Sequence, residues 1–397
     1  MLQPKSESTR PAVPRAPSPA VHPPFLGAME AVLVDDRGEF SFDGAVRRGE
    51  AAAVWQWLAR DVAPQLVESV SRDEGRAALE AALPALLAQA RAAVEKAAGA
   101  EGQRRLRVQL GGASVVQRLP VVLTAIRCIP LYGKAQSFGR AINGMIDDEA
   151  LVAALQSMPR QDASAAAALM MAAVGEVLLP ERLVVPATRI AGSADDIALM
   201  RAGFAPLVDA MLARAQDTIP PLLERGTFVD IDLACRSIER FHRLVRAISG
   251  YVELAPRGRW STTIAALTKT VSDRLEPMIR DVVPAINQAL RRQRDGNDWL
   301  DSDSALAALN GVYLLETVRD TRDSLAVNEV FDESWSRSAQ VLEMHLNRNL
   351  DALKQNPADR ILAARTESGI KMAEIRFGVE YADILRRAVE NLGRTLG

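Results

Sequence analysis

The feature that most constrains the fold is a helical spacing of apolar residues that runs from about Gly49 almost to the end of the chain. Trp335, Leu342 and Leu346 recur at intervals of one or two helical turns, and Tyr381 and Ile384 begin a similar stripe in the last segment. Because an α-helix turns about every 3.6 residues, such a stripe buries one face and leaves the other in water. The sequence therefore predicts an all-α protein, either a multi-helix bundle or an irregular helical array.

The amino-acid composition favours helices that pack closely. Aromatic residues make up only 5% of the chain, whereas the residues AVILMFWYC reach 48%, a share supplied mainly by Ala, Leu and Val. Ala and Leu, together with the abundant Arg and Glu, are strong helix formers. We therefore expect small side chains at many of the contacts between helices.

The N-terminal segment has a different composition. Residues 1–24 contain seven prolines, several serines and a net positive charge, without apolar periodicity. A segment of this kind cannot bury enough apolar surface to fold, and it lacks the apolar core of a secretory signal peptide. The sequence predicts a disordered tail over residues 1–26.

A turn signal follows at residues 35–38, between two short β-favouring runs at 31–34 and 39–42. Asp and Gly between two such runs favour a β-hairpin. An isolated hairpin is marginally stable in water. We therefore expect the segment 27–48 to form a short hairpin that packs on the helices.

A chain of 397 residues is longer than one core usually supports, since single cores stop growing at roughly 250–300 residues. The best internal boundary is Gly192, because Gly ends helices readily and Ser193 can cap the next one. The sequence predicts an N-terminal helical subdomain over residues 49–192 and a C-terminal helical subdomain over residues 193–397.

Trp57 does not fit the apolar face of the first predicted helix, on which Val54 and Leu58 lie together. A large apolar side chain seldom stays exposed. We favour the interpretation that the hairpin or a neighbouring helix covers Trp57. The alternative is that Trp57 is an interaction residue for a partner protein.

Motifs of catalysis and nucleotide binding are missing from the sequence. It contains no Gly-x-Ser-x-Gly, Gly-x-Gly-x-x-Gly or His-Glu-x-x-His motif, and Gly133 and Lys134 lack the rest of a P-loop. Only three histidines are present, which leaves few groups for acid–base chemistry. These observations favour a non-catalytic protein without a cofactor.

Charge and cysteine usage bear on partners and location. The chain has 48 Lys and Arg against 50 Asp and Glu, a formal net charge of −2, so no general field attracts nucleic acid. Cys128 and Cys235 form no paired motif, which favours a reducing cytoplasm. The longest apolar runs fall short of the roughly 20 residues that span a bilayer, so we expect no transmembrane segment.

The segment 233–249 is predicted to form a helix with two contrasting faces. One face is apolar and centred on Phe241. The opposite face and its edge carry four arginines, Arg236, Arg240, Arg243 and Arg246. Because guanidinium groups pair with carboxylates and phosphates, these arginines, with His242 on the flank, are candidates for binding an anion or an acidic partner. The alternative is an ordinary solvated face.

The same helix contains a Glu-x-x-His pair, Glu239 and His242, of the kind that di-iron bundles use twice. A second copy is missing, because His345 has no Glu three positions before it. Glu239 is more simply explained by ion pairs with Arg236 and Arg243 on neighbouring turns. The sequence therefore predicts no metal site.

Three functions follow from these patterns. The leading hypothesis is a cytoplasmic helical scaffold or adaptor that binds protein partners through its helical faces. The first alternative is an all-α enzyme or small-anion-binding protein that uses Arg236, Arg240 and Arg243 as ligands and His242 as an acid or base. The second alternative, a secreted bacterial effector, rests on the N-terminal tail alone.

Overall fold

The computed structural model of the chain describes residues 23–73, 75–223, 230–292 and 301–394. These residues form eighteen α-helices, two short strands and several short 3-10 or π-helical turns, which confirms the predicted all-α fold class. The predicted tail lies outside the described residues up to position 22. Its last positions, 23–26, belong to the first helix.

The chain divides into two compact units. One unit holds the residues up to Glu30 together with Arg48–Ile129, and the other holds Ala31–Arg47 and the residues from Pro130 onward. The division between the helical parts therefore falls after residue 129. Gly192 does end a helix, in the left-handed conformation with φ 73° that Gly adopts at low cost, but this helix end lies inside the second unit.

The first unit contains six α-helices among its described residues: α1 (Pro23–Met29), α2 (Arg48–Trp57), α3 (Pro64–Asp73), α4 (Arg76–Lys96), α5 (Ala100–Gln109) and α6 (Ala113–Arg127). Helix α2 packs against α1 and α6. The ring of Phe25 in α1 stacks on Trp55 in α2, with centroids 4.3 Å apart. A π-helical turn, Leu58–Val62, follows α2 directly, and Pro64 then starts α3.

Trp57 is buried in the first unit, with 1% of its surface exposed. It is the last residue of α2, directly before the π-helical turn, and α2 is covered by helices on more than one side. The prediction of Trp57 as an interaction residue is therefore wrong, because its side chain is not accessible to a partner. The favoured interpretation, that the hairpin or a neighbouring helix covers Trp57, agrees with this burial.

Twelve further α-helices follow among the described residues: α7 (Ile129–Gly144), α8 (Asp148–Ser157), α9 (Ala163–Val174), α10 (Glu181–Ala191), α11 (Asp196–Arg201), α12 (Ala205–Gln216), α13 (Ile231–Tyr251), α14 (Arg259–Leu290), α15 (Ser302–Thr321), α16 (Asn328–Gln355), α17 (Arg360–Phe377) and α18 (Val379–Arg394). Helix α9 is buried from Ala166 to Val174, packs along α12, and α12 packs along α13. This packing brings the ends of α9 and α12 close to the middle of α13.

Two strands, β1 (Leu33–Val34) and β2 (Val46–Arg47), pair in parallel. The predicted hairpin is therefore wrong in its pairing, and the run 39–42 is not a strand. The backbone N–H of Phe40 donates to Gln216 Oε1 over 2.7 Å, and its carbonyl accepts from Gln216 Nε2 over 3.0 Å. A side chain from α12 thus takes the backbone hydrogen bonds that a hairpin ladder would use.

Hydrogen bonds attach the segment Ala31–Arg47, which makes up most of the predicted segment 27–48, to α12. The backbone N–H of Asp35 donates to Asp217 Oδ1 over 2.8 Å, and Arg214 Nη2 donates to the carbonyl of Ala31 over 2.6 Å. Both contacts come from the C-terminal end of α12. In addition to the bonds at Phe40, they attach the segment to the rest of the second unit at two points.

Acidic residues at helix starts act as N-caps. The carboxylate of Asp147 accepts from the Glu149 N–H at the start of α8 over 3.1 Å. Asp195 caps α11 by accepting from the Ile197 N–H over 2.6 Å. The predicted cap, Ser193, instead accepts from the Asp195 N–H. These bonds satisfy amides that have no partner within the helix.

One helix, α4, is long and apolar enough to cross a membrane by length and composition, and α6 with α7 would also qualify if they formed a single span. The core helix of a water-soluble protein meets the same two criteria. The expected absence of a transmembrane segment therefore stays a prediction.

Candidate anion-binding cleft

Helix α13 carries the candidate residues and extends slightly beyond its predicted bounds. Asp230 caps its start by accepting from the Leu233 N–H over 2.9 Å. The apolar face centred on Phe241 is buried, with Phe241 itself fully covered. This burial fixes the rotation of α13, so that the arginines on the opposite face are exposed.

A cleft with a volume of about 300 Å³ opens beside α13 in the second unit. Its wall combines the C-terminal end of α9, the loop that follows, one side chain of α12 and one turn of α13. The lining residues are Val174, Gly175, Glu176, Val177, Leu178, Pro180, Arg214, Arg240, Arg243 and Leu244. We call this the arginine cleft.

The structure brings only part of the predicted set together. Arg240 and Arg243 line the arginine cleft, whereas Arg236, Arg246 and His242 do not. The Nε atom of Arg236 turns back along α13 and donates to the carbonyl of Asp232 over 3.2 Å. The predicted stripe is thus divided, and two of its arginines face a concave surface.

Arg214 of α12 is the third arginine of the cleft. Its half-buried guanidinium donates to the carbonyls of Ala31, as noted, and Met171, the latter over 3.5 Å. A Cβ atom on Gly175 would lie 2.8 Å from Arg214 Nη2. The missing side chain at position 175 therefore leaves room for this guanidinium at the end of α9.

Glu176 is the one carboxylate that lines the cleft. It accepts from Gln136 Nε2 over 3.1 Å and pairs with Arg140 Nη1 over 3.2 Å. Both of these partners lie on α7, and a cation from outside the cleft lining thus compensates its charge. The three guanidinium groups of the cleft therefore dominate its local electrostatic field.

Arg240 and Arg243 form no hydrogen bond or ion pair through their side chains with any other residue that the structure describes. The predicted ion pairs of Glu239 with Arg236 and Arg243 are likewise not formed. Two exposed guanidinium groups thus lie on adjacent turns of one helix without a compensating carboxylate among the described residues. Such groups can form bidentate bonds with a carboxylate or phosphate.

His242 and Cys235 point to α15 and the turn after it rather than to the cleft. His242 Nδ1 lies 2.9 Å from Ser324 Oγ. Cys235 is buried, and this burial raises the pKa of its thiol to about 11, although a hydrogen bond with Thr317 acts in the opposite direction. These contacts give both side chains a structural role in packing α13.

The chemistry of the cleft suits the binding of an anion. Within the described part of the chain, no group of three or more His, Cys, Asp and Glu side chains is placed to hold a metal ion. The cleft lining contains no Cys, His, Ser or Lys, and Glu176 is already paired. The arrangement can attract and orient an anion.

Sequence reasoning missed Arg214 and Glu176. Arg214 interrupts a helix that is otherwise buried from Leu207 to Gln216, and a lone arginine in such a run indicates a specific polar contact. Glu176 gave no comparable signal. Its place beside α13 depends on the packing of α9 and α12, which the sequence pattern does not specify.

Comparisons with protein-family models, with curated proteins and with solved structures find no match to this chain. The functional interpretation therefore depends on the geometry of the cleft.

Proposed function

We propose that the protein binds an anionic ligand group, a carboxylate or a phosphate, in the arginine cleft. The observation that carries this proposal is the pair Arg240 and Arg243, which line a concave surface without any side-chain partner among the described residues. A volume of about 300 Å³ lies at the lower end of the range for ligand pockets. This size suits a small anion or one acidic group of a larger partner.

The adaptor hypothesis from the sequence remains compatible with this proposal, because an acidic group on a protein is also an anion. Exposed apolar side chains beside the cleft, including Leu178 at 71% exposure, support a macromolecular ligand. We do not propose catalysis, since Glu176 is the one titratable carboxylate of the lining and it pairs with Arg140. The cytoplasmic location stays a prediction, and the tail of the effector hypothesis lies outside the described residues up to position 22.

In the experiment, the full-length protein is titrated with inorganic phosphate or with succinate at low ionic strength. The melting temperature, Tm, is measured at each concentration. Ligand binding to the native state raises Tm with concentration. The double variant Arg240→Ala with Arg243→Ala should weaken binding by about tenfold or more, because charge-assisted hydrogen bonds are among the stronger contacts. Arg240→Lys tests the bidentate geometry, because it keeps the charge and removes the guanidinium fork.

Arg246→Ala is the matched control. Arg246 lies on the same helix, is exposed, and does not line the cleft. An equal loss of binding in Arg246→Ala and in the double variant would show that general charge, and not the cleft, attracts the anion. The absence of any Tm response to both anions would refute the proposal.

A further inference from the structure

An exposed apolar ledge adjoins the arginine cleft. We define the ledge by Ile146, Leu178 and Leu179, which are 95%, 71% and 43% exposed. Leu178 also lines the cleft itself, so apolar and cationic surface meet at this side chain. Adjacent exposed apolar residues of this size are uncommon on a free surface and often mark a binding site.

Side chains of α7 and α10 hold the two loops that carry the ledge by hydrogen bonds. Asn143 Oδ1 accepts from the Leu178 N–H over 2.9 Å, and Asn143 Nδ2 donates to the Glu176 carbonyl over 2.9 Å. Arg182 donates to the carbonyls of Ile142 and Met145. These bonds fix the backbone of both loops. The fold therefore holds the side chains of the ledge in their exposed positions.

Charge is distributed unequally along the ledge. Arg240 and Arg243 line the cleft together with Leu178, whereas the exposed Asp147 and Asp148 directly follow Ile146 in the chain. An anionic membrane that took up Ile146 would bring lipid headgroups close to these two carboxylates, which would repel them. A ligand whose carboxylates lie over the arginines alone avoids this repulsion.

We propose that the arginine cleft and the ledge together bind an acidic peptide segment of a partner protein, in which large apolar residues lie beside carboxylates. Arg240 and Arg243 bind the carboxylates, and Leu178 with Leu179 cover the apolar side chains. This inference rests on the proposed anion-binding function. It adds that the ligand is amphipathic and proteinaceous, because a free anion would leave the ledge uncovered.

The test measures fluorescence anisotropy of labelled peptides with the full-length protein. One peptide alternates glutamates with leucines, a second replaces the leucines with serines, and a third replaces the glutamates with glutamines. We expect the first peptide to bind most tightly, the second to bind at least about tenfold more weakly through its glutamates alone, and the third not to bind. Leu178→Ser should weaken that binding about tenfold, the effect of losing one buried leucine contact, and the double variant of Arg240 and Arg243 should abolish it.

Controls separate this inference from the proposed function. Ile384→Ser removes another highly exposed apolar side chain, 63% exposed on α18, and should leave peptide binding unchanged. Phosphate affinity should not change in Leu178→Ser, because phosphate makes no apolar contact. Binding to phosphatidylcholine vesicles with and without phosphatidylserine is measured in parallel, to test whether the ligand is a lipid surface.

Each other result overturns the inference. If phosphate binds through Arg240 and Arg243 but the serine-containing peptide binds as well as the leucine-containing one, the ledge has no part in recognition, although the proposed function stands. If phosphatidylserine vesicles bind through Leu178 and the arginines while the peptides do not, the ligand is a lipid surface. If neither phosphate nor any peptide binds, both the inference and the proposed function fail.

Discussion

Gly175 lies so close to Arg214 that a Cβ atom at position 175 would be 2.8 Å from the Nη2 atom of the arginine. The contacting atom is the end of a flexible side chain, which can move at small cost. The relationship therefore controls the position of a charge more than the stability of the fold. It offers a way to alter the arginine cleft without removing any of its arginines.

Gly175→Ala should displace the Arg214 guanidinium from its place at the end of α9. We expect the free energy of unfolding to fall by about 1 kcal/mol, the net value of the hydrogen bond from Arg214 to the Ala31 carbonyl that this shift breaks, and phosphate binding to weaken. Urea unfolding and a phosphate titration by Tm measure the two effects. Gly139→Ala is the control, because its Cβ would lie 2.1 Å from the backbone oxygen of Ala173. Gly139→Ala should destabilise the protein by about 1–3 kcal/mol. Equal losses of unfolding free energy in the two variants would contradict the prediction.

Gly44→Ala should strongly destabilise the attachment of the segment Ala31–Arg47. Gly44 has φ 86°, and a Cβ there would lie 2.3 Å from backbone atoms of Ala167 in the buried helix α9. The left-handed backbone and the steric clash together should cost about 2–4 kcal/mol, measured by urea unfolding. Gly378→Ala has a similar positive φ, 96°, but nothing within 4 Å of the added Cβ. Gly378→Ala should lower the free energy of unfolding only by the cost of the left-handed backbone. If it lowers this free energy as much as Gly44→Ala does, the steric clash at position 44 is not the cause of the destabilisation.

His345 should make the protein less stable in weak acid. It is buried with Nε2 2.9 Å from Asn287 Oδ1, and burial, together with the nearby charges of Arg348 and Arg291, lowers its pKa below the ordinary 6.5. The unfolded state therefore binds a proton at a higher pH than the folded state, so stability rises with pH in this range and is lost as pH falls. Relative to His345→Gln, the wild type should lose free energy of unfolding below about pH 6.5. Parallel curves for the two proteins would exclude this contribution.

Both thiols should react slowly in the folded protein. Cys128 and Cys235 are buried, and burial raises the pKa of Cys235 to about 11. Because the thiolate is the reactive form, we expect modification by Ellman's reagent at pH 8 to be about 100-fold slower than for free cysteine. Denaturant should expose both thiols, and Cys128→Ser isolates Cys235. Rapid modification of Cys235 in the native Cys128→Ser protein would be inconsistent with its burial.

Local sequence patterns predicted the helices and their buried faces well. The face of α13 centred on Phe241 is buried, and Leu342 and Leu346 of α16 are buried on the predicted stripe. In α18 the same reasoning placed Ile384 inside, yet it is 63% exposed, whereas Ala382 is fully buried. The rotation of a helix depends on its neighbours, and periodicity fixes it only approximately.

Long-range contacts explain what the sequence did not predict. The run 39–42 has a β-favouring pattern, but Phe40 receives its hydrogen bonds from Gln216, 176 positions later. The arginine cleft needs residues from α9, α12 and α13, and only the α13 arginines were predictable from one helix. Sites that several elements assemble require the tertiary packing to be known.

The attachment of Ala31–Arg47 to α12 also has a consequence for the order of folding. This segment leaves the ribosome long before its partners Arg214, Gln216 and Asp217, so its native contacts must wait until the chain has been synthesised as far as Asp217. The contacts close loops of 176 to 183 residues, and such non-local contacts slow folding. The segment Ala31–Arg47 belongs to the second unit. Cutting the chain at residue 130 would therefore leave the C-terminal piece without a part of its own unit, and we expect that piece to become fully stable only when the N-terminal piece is added.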